Sequence, residues 1–364
     1  MVNDVRPGAF PDFMATDLVI PSVRACELPN VAELEARGVL PPYFAAPLFV
    51  VWEVTGRCPL DCPFCYNDSP RRTHELTTVE LLQVADQLAA MRVFGVYLTG
   101  GEPFIRRDLE KVIERLAARG VLVGVVTSGW SMSPALAGFL AERVASVSVS
   151  IDAGSAGPHD AIRRRAGSFD RALRTIGLLR GAGLKDTYVA ATIGATNVGE
   201  IDALVELCLR LGVRALRLTP VILTDKGTLG SWRPAERADY ERVGRELGAY
   251  ASALAPELAI QWVDPSGHIR SGRLLGRVQV LRITAEGHLA ISPYLPYVLG
   301  NLRETGIQEC WDQGLRVAWR HPRIRAAIAD IDSIHDLNEV GCADPTFTRL
   351  DPREADAACS PTML

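Results

Sequence analysis

The sequence predicts an α/β fold: a partial (β/α)6 barrel followed by a small α+β C-terminal domain. Three observations predict it. Six short apolar segments alternate with stretches of helical period, glycine closes several of those stretches, and the alternation stops near residue 227. Strands separated by helices pair in parallel through right-handed crossovers. That arrangement gives an incomplete barrel first and an open doubly wound sheet second. In either, loops after the strand C-termini form the active face.

Residues 1–45 are proline-rich and have no sustained period, so they read as an N-terminal arm. Residues 46–227 form the predicted barrel. Its strands are expected at 49–54, 96–99, 122–127, 146–151, 188–193 and 215–219. Helices are expected between them at 78–92, 108–119, 134–141, 168–182 and 200–211. Gly95, Gly120, Gly183 and Gly212 fit left-handed helix caps. Residues 228–364 form the smaller domain, with a helix at 234–253 and a strand near 258–262. A hairpin follows, 278–284 with 288–292 around Glu286-Gly287, and then the stretch 301–311.

The chain of 364 residues is 48% apolar, enough for a sizeable core. Its net charge of −4 argues against nucleic acid or an anionic membrane as partner. The run Arg163-Arg164-Arg165 reads as a solvated helix face. No apolar run approaches the roughly 18 residues that span a bilayer. The first residues lack an apolar signal core, so a soluble cytoplasmic protein is expected. In that setting eight cysteines point to metal or redox chemistry before disulfides.

Cys58, Cys62 and Cys65 place three thiols within eight residues of a loop after the first strand. Such thiolates hold iron–sulfur clusters, and three ligands on a four-iron cluster leave one iron open. A structural zinc site is an alternative, although no fourth Cys or His lies in the loop. A Cys-x-x-Cys redox pair at Cys62 and Cys65 is another, and it leaves Cys58 unexplained.

The C-x3-C-x2-C loop, with Phe64 before its last cysteine and Tyr66-Asn67 after it, resembles that of the radical S-adenosylmethionine (SAM) superfamily. Leu98-Thr99-Gly100-Gly101-Glu102-Pro103 after the second strand resembles the superfamily's segment for the SAM amino group. Two glycines permit close backbone approach, and Glu102 can accept hydrogen bonds from an ammonium. Residues 148–152 with 159–163 and 167–169 match a third family stretch. The resemblance makes Ser150 and Arg163 candidates for the SAM carboxylate or ribose, and Asp152 a further one. An Asp152–Arg163 ion pair is the structural alternative. His159 reads as a helix-start or packing residue. Ser128, within Thr127-Ser128-Gly129, occupies a turn that lines the SAM pocket in relatives.

The resemblance implies one [4Fe–4S] cluster, SAM, and an external one-electron reductase of flavodoxin or ferredoxin type. Residues 298–304 with Cys310-Trp311 resemble part of the SPASM or twitch extension, whose auxiliary-cluster cysteines are missing here. The usual Pro-Cys site reads Ser292-Pro293-Tyr294, and only Cys342 and Cys359 stand near the end. That pattern favours a redox-neutral reaction such as epimerisation. Cys208, Cys310 and Cys342 are then candidate hydrogen donors, each also fitting a packing role. Tyr294 and Tyr297 read as core aromatics. The expected substrate is a peptide. A small metabolite such as an aminosugar or nucleoside is the alternative, and a noncatalytic cluster-bearing scaffold the alternative of another class.

Overall fold

The computed structural model describes residues 37–71, 74–223, 232–254, 257–340 and 347–357. Strands β1 (Phe49–Glu53), β2 (Gly95–Thr99), β3 (Leu122–Thr127), β4 (Ser146–Ser150), β5 (Thr187–Ile193) and β6 (Ala215–Pro220) lie side by side in sequence order, all parallel. The connecting helices are α1 (Thr78–Ala90), α2 (Leu109–Ala117), α3 (Pro134–Arg143), α4 (Ala156–Arg163), α5 (Ser168–Gly181) and α6 (Ile201–Leu211). Each strand matches its expected position to within one residue. Helix α4 was not expected, because Gly157 and Pro158 interrupt its pattern and Ile162 is its single buried aliphatic residue.

Local sequence explains the element ends. Thr77 and Glu80 form a reciprocal capping box at the start of α1. On α2, Leu109, Val112, Ile113 and Leu116 repeat at helical spacing and are buried against the sheet. Left-handed backbone follows the helices at Gly120, Gly183 and Gly212. After α1 it falls on Arg92, since Gly95 already belongs to β2.

The sheet continues past the six expected strands. Helix α7 (Arg237–Leu254) leads to β7 (Ala259–Trp262), which pairs parallel with β6. Helix α8 (Pro265–Leu275) leads to β8 (Val280–Ile283), which pairs parallel with β1 at the opposite side. The first two of the three strands expected in the C-terminal domain therefore extend the barrel sheet in parallel. The expected boundary at 227/228 lies outside the described residues. Side chains from β1 through β6, from β8 and from the end of β7 line one lumen, so the sheet curls as a barrel does.

Beyond β8, a tight turn brings β9 (His288–Ala290) back antiparallel. Strand β10 (Tyr297–Val298) pairs elsewhere, whereas β11 (Gly300–Asn301) adds to β9. Helices α9 (Ile307–Asp312), α10 (Pro322–Ala327) and α11 (Ile334–Val340) follow. Strand β12 (Thr348–Arg349) pairs with β10 and precedes α12 (Arg353–Ala357). Arg303 fastens this part to the barrel, donating to Glu80 Oε1 at 2.8 Å and to the carbonyls of Glu75 and Glu286. Of the expected N-terminal arm, residue 44 accepts from Trp311 Nε1 at 2.9 Å. Among the described residues no helix is long and apolar enough to cross a membrane.

Candidate active site

The loop after β1 carries Cys58, Cys62 and Cys65 to the mouth of a cavity of about 220 Å³, which all three line. Each sulfur faces one N–H donor. Leu60 N stands 3.5 Å from Cys58 Sγ, Ser69 N 3.3 Å from Cys65 Sγ, and Arg163 Nη1 3.7 Å from Cys62 Sγ. Such donors stabilise thiolate bound to iron and tune its potential. Burial pushes the Cys58 thiol up to about 12 and the Cys62 thiol to about 11, opposed by Leu60 N–H and the Arg163 guanidinium. A bound metal reverses that sign by taking the thiolate. Among the described residues no three His, Cys, Asp or Glu side chains form a group that could hold a single metal ion.

The loop after β2 packs directly on the cysteine loop. Gly101 N donates to Thr55 O at 2.7 Å and Glu102 N to Arg57 O at 2.9 Å. A Cβ at Gly100, where φ is +138°, would stand 2.3 Å from Thr55 O, and one at Gly101 would stand 2.1 Å from Arg57 O. The backbone these glycines approach is therefore that of the cysteine loop, and both also line the cavity. Glu102 and Pro103 are buried, Pro103 as the first residue of a 3-10 turn that Glu102 caps.

Glu102 binds the first three strand ends together. Thr127 Oγ1 donates to its Oε1 at 2.7 Å, Ser128 N to its Oε2 at 2.8 Å, and the Ser128 hydroxyl donates to Oε2 as well. Burial raises its pKa against these donors. Thr127 and Ser128 line the same cavity. A carboxylate at this depth, ringed by hydroxyls, suits a cationic amine.

Ser150, at the end of β4, and Arg163, at the end of α4, line the cavity as well. Arg163 Nε lies 2.5 Å from Asp152 Oδ2, both groups buried, and Arg163 also stacks 5.3 Å from the centre of the Phe64 ring. Asp152 does not line the cavity. It accepts from Thr192 N at 2.9 Å, and its carbonyl accepts from Asn197 Nδ2 at 2.8 Å. The ion pair exists, and it holds Arg163 beside the Cys62 sulfur at the cavity wall. His159 is buried in a packing role, its Nδ1 accepting from Asp152 N at 3.1 Å. Phe64 lines the cavity with its ring 4.8 Å from that of Trp232.

A second cavity, of about 190 Å³, fills the barrel lumen. Tyr66, Val126, Ala190 and Thr219 line both cavities and so form the passage between them. The lumen is mostly apolar, with Arg217, Asp264, His268 and Arg282 beside the phenols of Tyr66, Tyr97 and Tyr294 as its charged or titratable members. Arg282 Nε is ion-paired with Glu53 at 2.7 Å, and His268 Nε2 faces Ile291 O at 3.0 Å. Tyr294 lines the lumen whereas Tyr297 does not, although both also pack on the core.

Sequence reasoning missed Arg217, His268 and Arg282. They are isolated polar residues in apolar context, and only closure of the sheet brings them together. The candidate hydrogen donors behave otherwise. Cys208 is buried on α6, and Cys310 lies beneath Gly300 beside a separate cavity near Arg349. Neither lines the two cavities described above. Cys342 lies outside the described residues.

Comparison with known proteins agrees with this geometry. Mycofactocin maturase MftC of Mycolicibacterium smegmatis is 34% identical over 197 residues, 53% of this chain and 49% of that protein. The chain thus spans about half the length of this curated relative. AdoMet-dependent heme synthase of Methanosarcina barkeri is 28% identical over 73% of this chain and 82% of its own. Streptococcus suis SuiB, solved with its precursor peptide SuiA, shares the fold with a TM-score of 0.64 at 14% identity, covering 77% of this chain and 67% of SuiB. The three cysteines and Glu102 fit the [4Fe–4S] cluster and SAM that this superfamily uses. Residues 52–208, which hold the cysteine loop, the Glu102 turn and the Asp152–Arg163 pair, match the family described as the radical SAM superfamily.

Proposed function

We propose that this chain is a radical SAM enzyme that abstracts a hydrogen atom from a peptide during maturation of a peptide-derived natural product. The carrying observation is the continuity of the two cavities. The three cysteines border one, with Glu102 just behind its wall on Thr127 and Ser128, and it opens through Tyr66 and Ala190 into the lumen. When bound, the cluster and SAM supply one-electron cleavage to methionine and a 5′-deoxyadenosyl radical. The chain's own residues do the rest. Cys58, Cys62 and Cys65 hold three irons, Glu102 receives the SAM amino group, and Arg163 and Ser150 orient its carboxylate or ribose. The apolar lumen excludes water from the reacting carbon.

We read the part of residues 228–364 that follows β8 as a SPASM/twitch-like extension without auxiliary clusters, so that the chain holds one cluster. The electron comes from an external flavodoxin- or ferredoxin-type carrier, which places the protein in the cytoplasm. The maturase relative supports a peptide substrate. A small-metabolite substrate is the second reading, favoured by the heme synthase match over 73% of this chain.

Anaerobic turnover in deuterated water, read by mass spectrometry, tests the reading. About four irons per chain and reductant-dependent 5′-deoxyadenosine are expected, both lost in Cys62→Ala. Persistence of that product in the variant would sink the assignment. A mass change in a metabolite but in no candidate peptide would select the second reading.

A further inference from the structure

The run of three arginines divides between two environments. Arg163 is buried beside Cys62, whereas Arg164 and Arg165 are exposed. Arg164 caps α4 with left-handed backbone, φ 52° and ψ 35°, a conformation usually taken by Gly or Asn. Its guanidinium reaches Asp61, inside the cysteine loop, at 3.8 Å. Arg165 Cζ and Arg171 Cζ stand 4.9 Å and 4.2 Å from the centre of one ring, Trp130, and Arg171 also donates to the Trp130 carbonyl at 3.1 Å. Arg174 follows Arg171 on α5 at the i+3 spacing and is exposed too.

Residues 163–174 contain five arginines and one acid, Asp170, in a chain whose net charge is −4. The connection carrying them is held firmly. Asp160 accepts from Gly167 N at 2.6 Å, Ser168 Oγ at 2.8 Å and Phe169 N at 2.9 Å. Guanidiniums stacked on an indole lose less freedom when a partner arrives. None of the four exposed arginines lines the cofactor cavity or the lumen. The patch is therefore an exposed surface next to the cysteine loop and outside both cavities.

We propose that Arg164, Arg165, Arg171 and Arg174, with Trp130, form the docking surface for an acidic one-electron carrier protein. Opposite charge steers such encounters and fixes their orientation. Docking here brings the carrier against Asp61, the neighbour of Cys62 in the chain. One electron leaves the reduced carrier and enters the cluster, with no bond made and no proton moved. The proposal rests on the reading of Cys58, Cys62 and Cys65 as cluster ligands.

The test measures binding of flavodoxin to the reconstituted protein by titration calorimetry at low and high ionic strength. Wild type is expected to bind, and salt to weaken it. Arg165→Glu/Arg171→Glu is expected to weaken binding by about tenfold or more, and Arg174→Glu alone to do so less. In the double variant, 5′-deoxyadenosine formation should fall with reduced flavodoxin and stay at the wild-type rate with dithionite. Equal affinity in the double variant overturns the proposal, as does an equal loss with dithionite or the absence of binding to wild type. Unchanged flavodoxin binding with lost binding of a precursor peptide or of RNA overturns it in favour of that partner. Failure of the cluster reading looks different: wild type would then hold no iron and make no 5′-deoxyadenosine even with dithionite.

Discussion

Arg163 Nε and Asp152 Oδ2 lie 2.5 Å apart, both groups buried. Removing one partner of a buried pair strands the other charge, at a cost of about 3–5 kcal/mol. Asp152→Ala and Arg163→Leu should each destabilise the chain on that scale in urea unfolding. The double variant should lose clearly less than the two together, since neither charge is then unpaired. Strict additivity would show that the pair is uncoupled.

His159 makes stability depend on pH. Burial, as the largest cause, lowers its pKa from 6.5 to about 4, and its unprotonated Nδ1 accepts from Asp152 N. Between those values the unfolded chain binds a proton that the folded chain refuses. Stability from this group is therefore complete above pH 6.5 and is lost as pH falls toward 4, by about 3 kcal/mol over the window. His159→Gln, which keeps an acceptor and does not titrate, should flatten that part of the stability profile. An unchanged slope between pH 7 and pH 5 would assign it to other groups.

At Gly101 a methyl group would meet the Arg57 carbonyl, which is backbone of the cysteine loop. Gly101→Ala must displace that loop, at about 1–3 kcal/mol for overpacking. The expected outcome is a folded protein with reduced iron content after reconstitution. Full iron loading in the variant would show that the loop yields without cost.

Arg164 holds a backbone conformation that costs a non-glycine residue about 1–2 kcal/mol. Arg164→Gly should therefore raise the unfolding midpoint, and by losing one guanidinium it should also weaken flavodoxin binding. A midpoint that stays or falls would mean the side chain stabilises the fold by more than its backbone costs.

Much of this was legible in sequence because it is local. The first three barrel strands are largely apolar runs, as strands covered on both faces tend to be, and Cys58, Cys62 and Cys65 share one loop. Asp152 and Arg163 were visible as residues, but which of them faces the cavity depends on Thr192 and Asn197, which hold Asp152 from the next strand and its loop. Strands β7 and β8 read as a separate unit in sequence because the alternation breaks near residue 227, ahead of them. Their parallel pairing with β6 and β1 is a long-range fact that periodicity does not carry. The lumen's polar residues were hidden for the same reason, since Arg217 and Arg282 come from strands on opposite flanks.

Ser148 separates the roles of the two cavities. It lines the lumen from β4 and does not line the cofactor cavity, whereas Ser150, two residues on, lines only the latter. Ser148→Leu adds apolar volume to existing space, so the fold should tolerate it. Substrate turnover should fall about 100-fold, roughly 2.7 kcal/mol of lost transition-state positioning. Reductant-dependent SAM cleavage without substrate should stay near the wild-type rate, because the groups around Glu102 and Arg163 are untouched. Both rates are read from one chromatographic assay of 5′-deoxyadenosine and modified product. If substrate-free cleavage falls as far as turnover, the lumen serves the cofactor, and the division of labour between Ser148 and Ser150 is wrong.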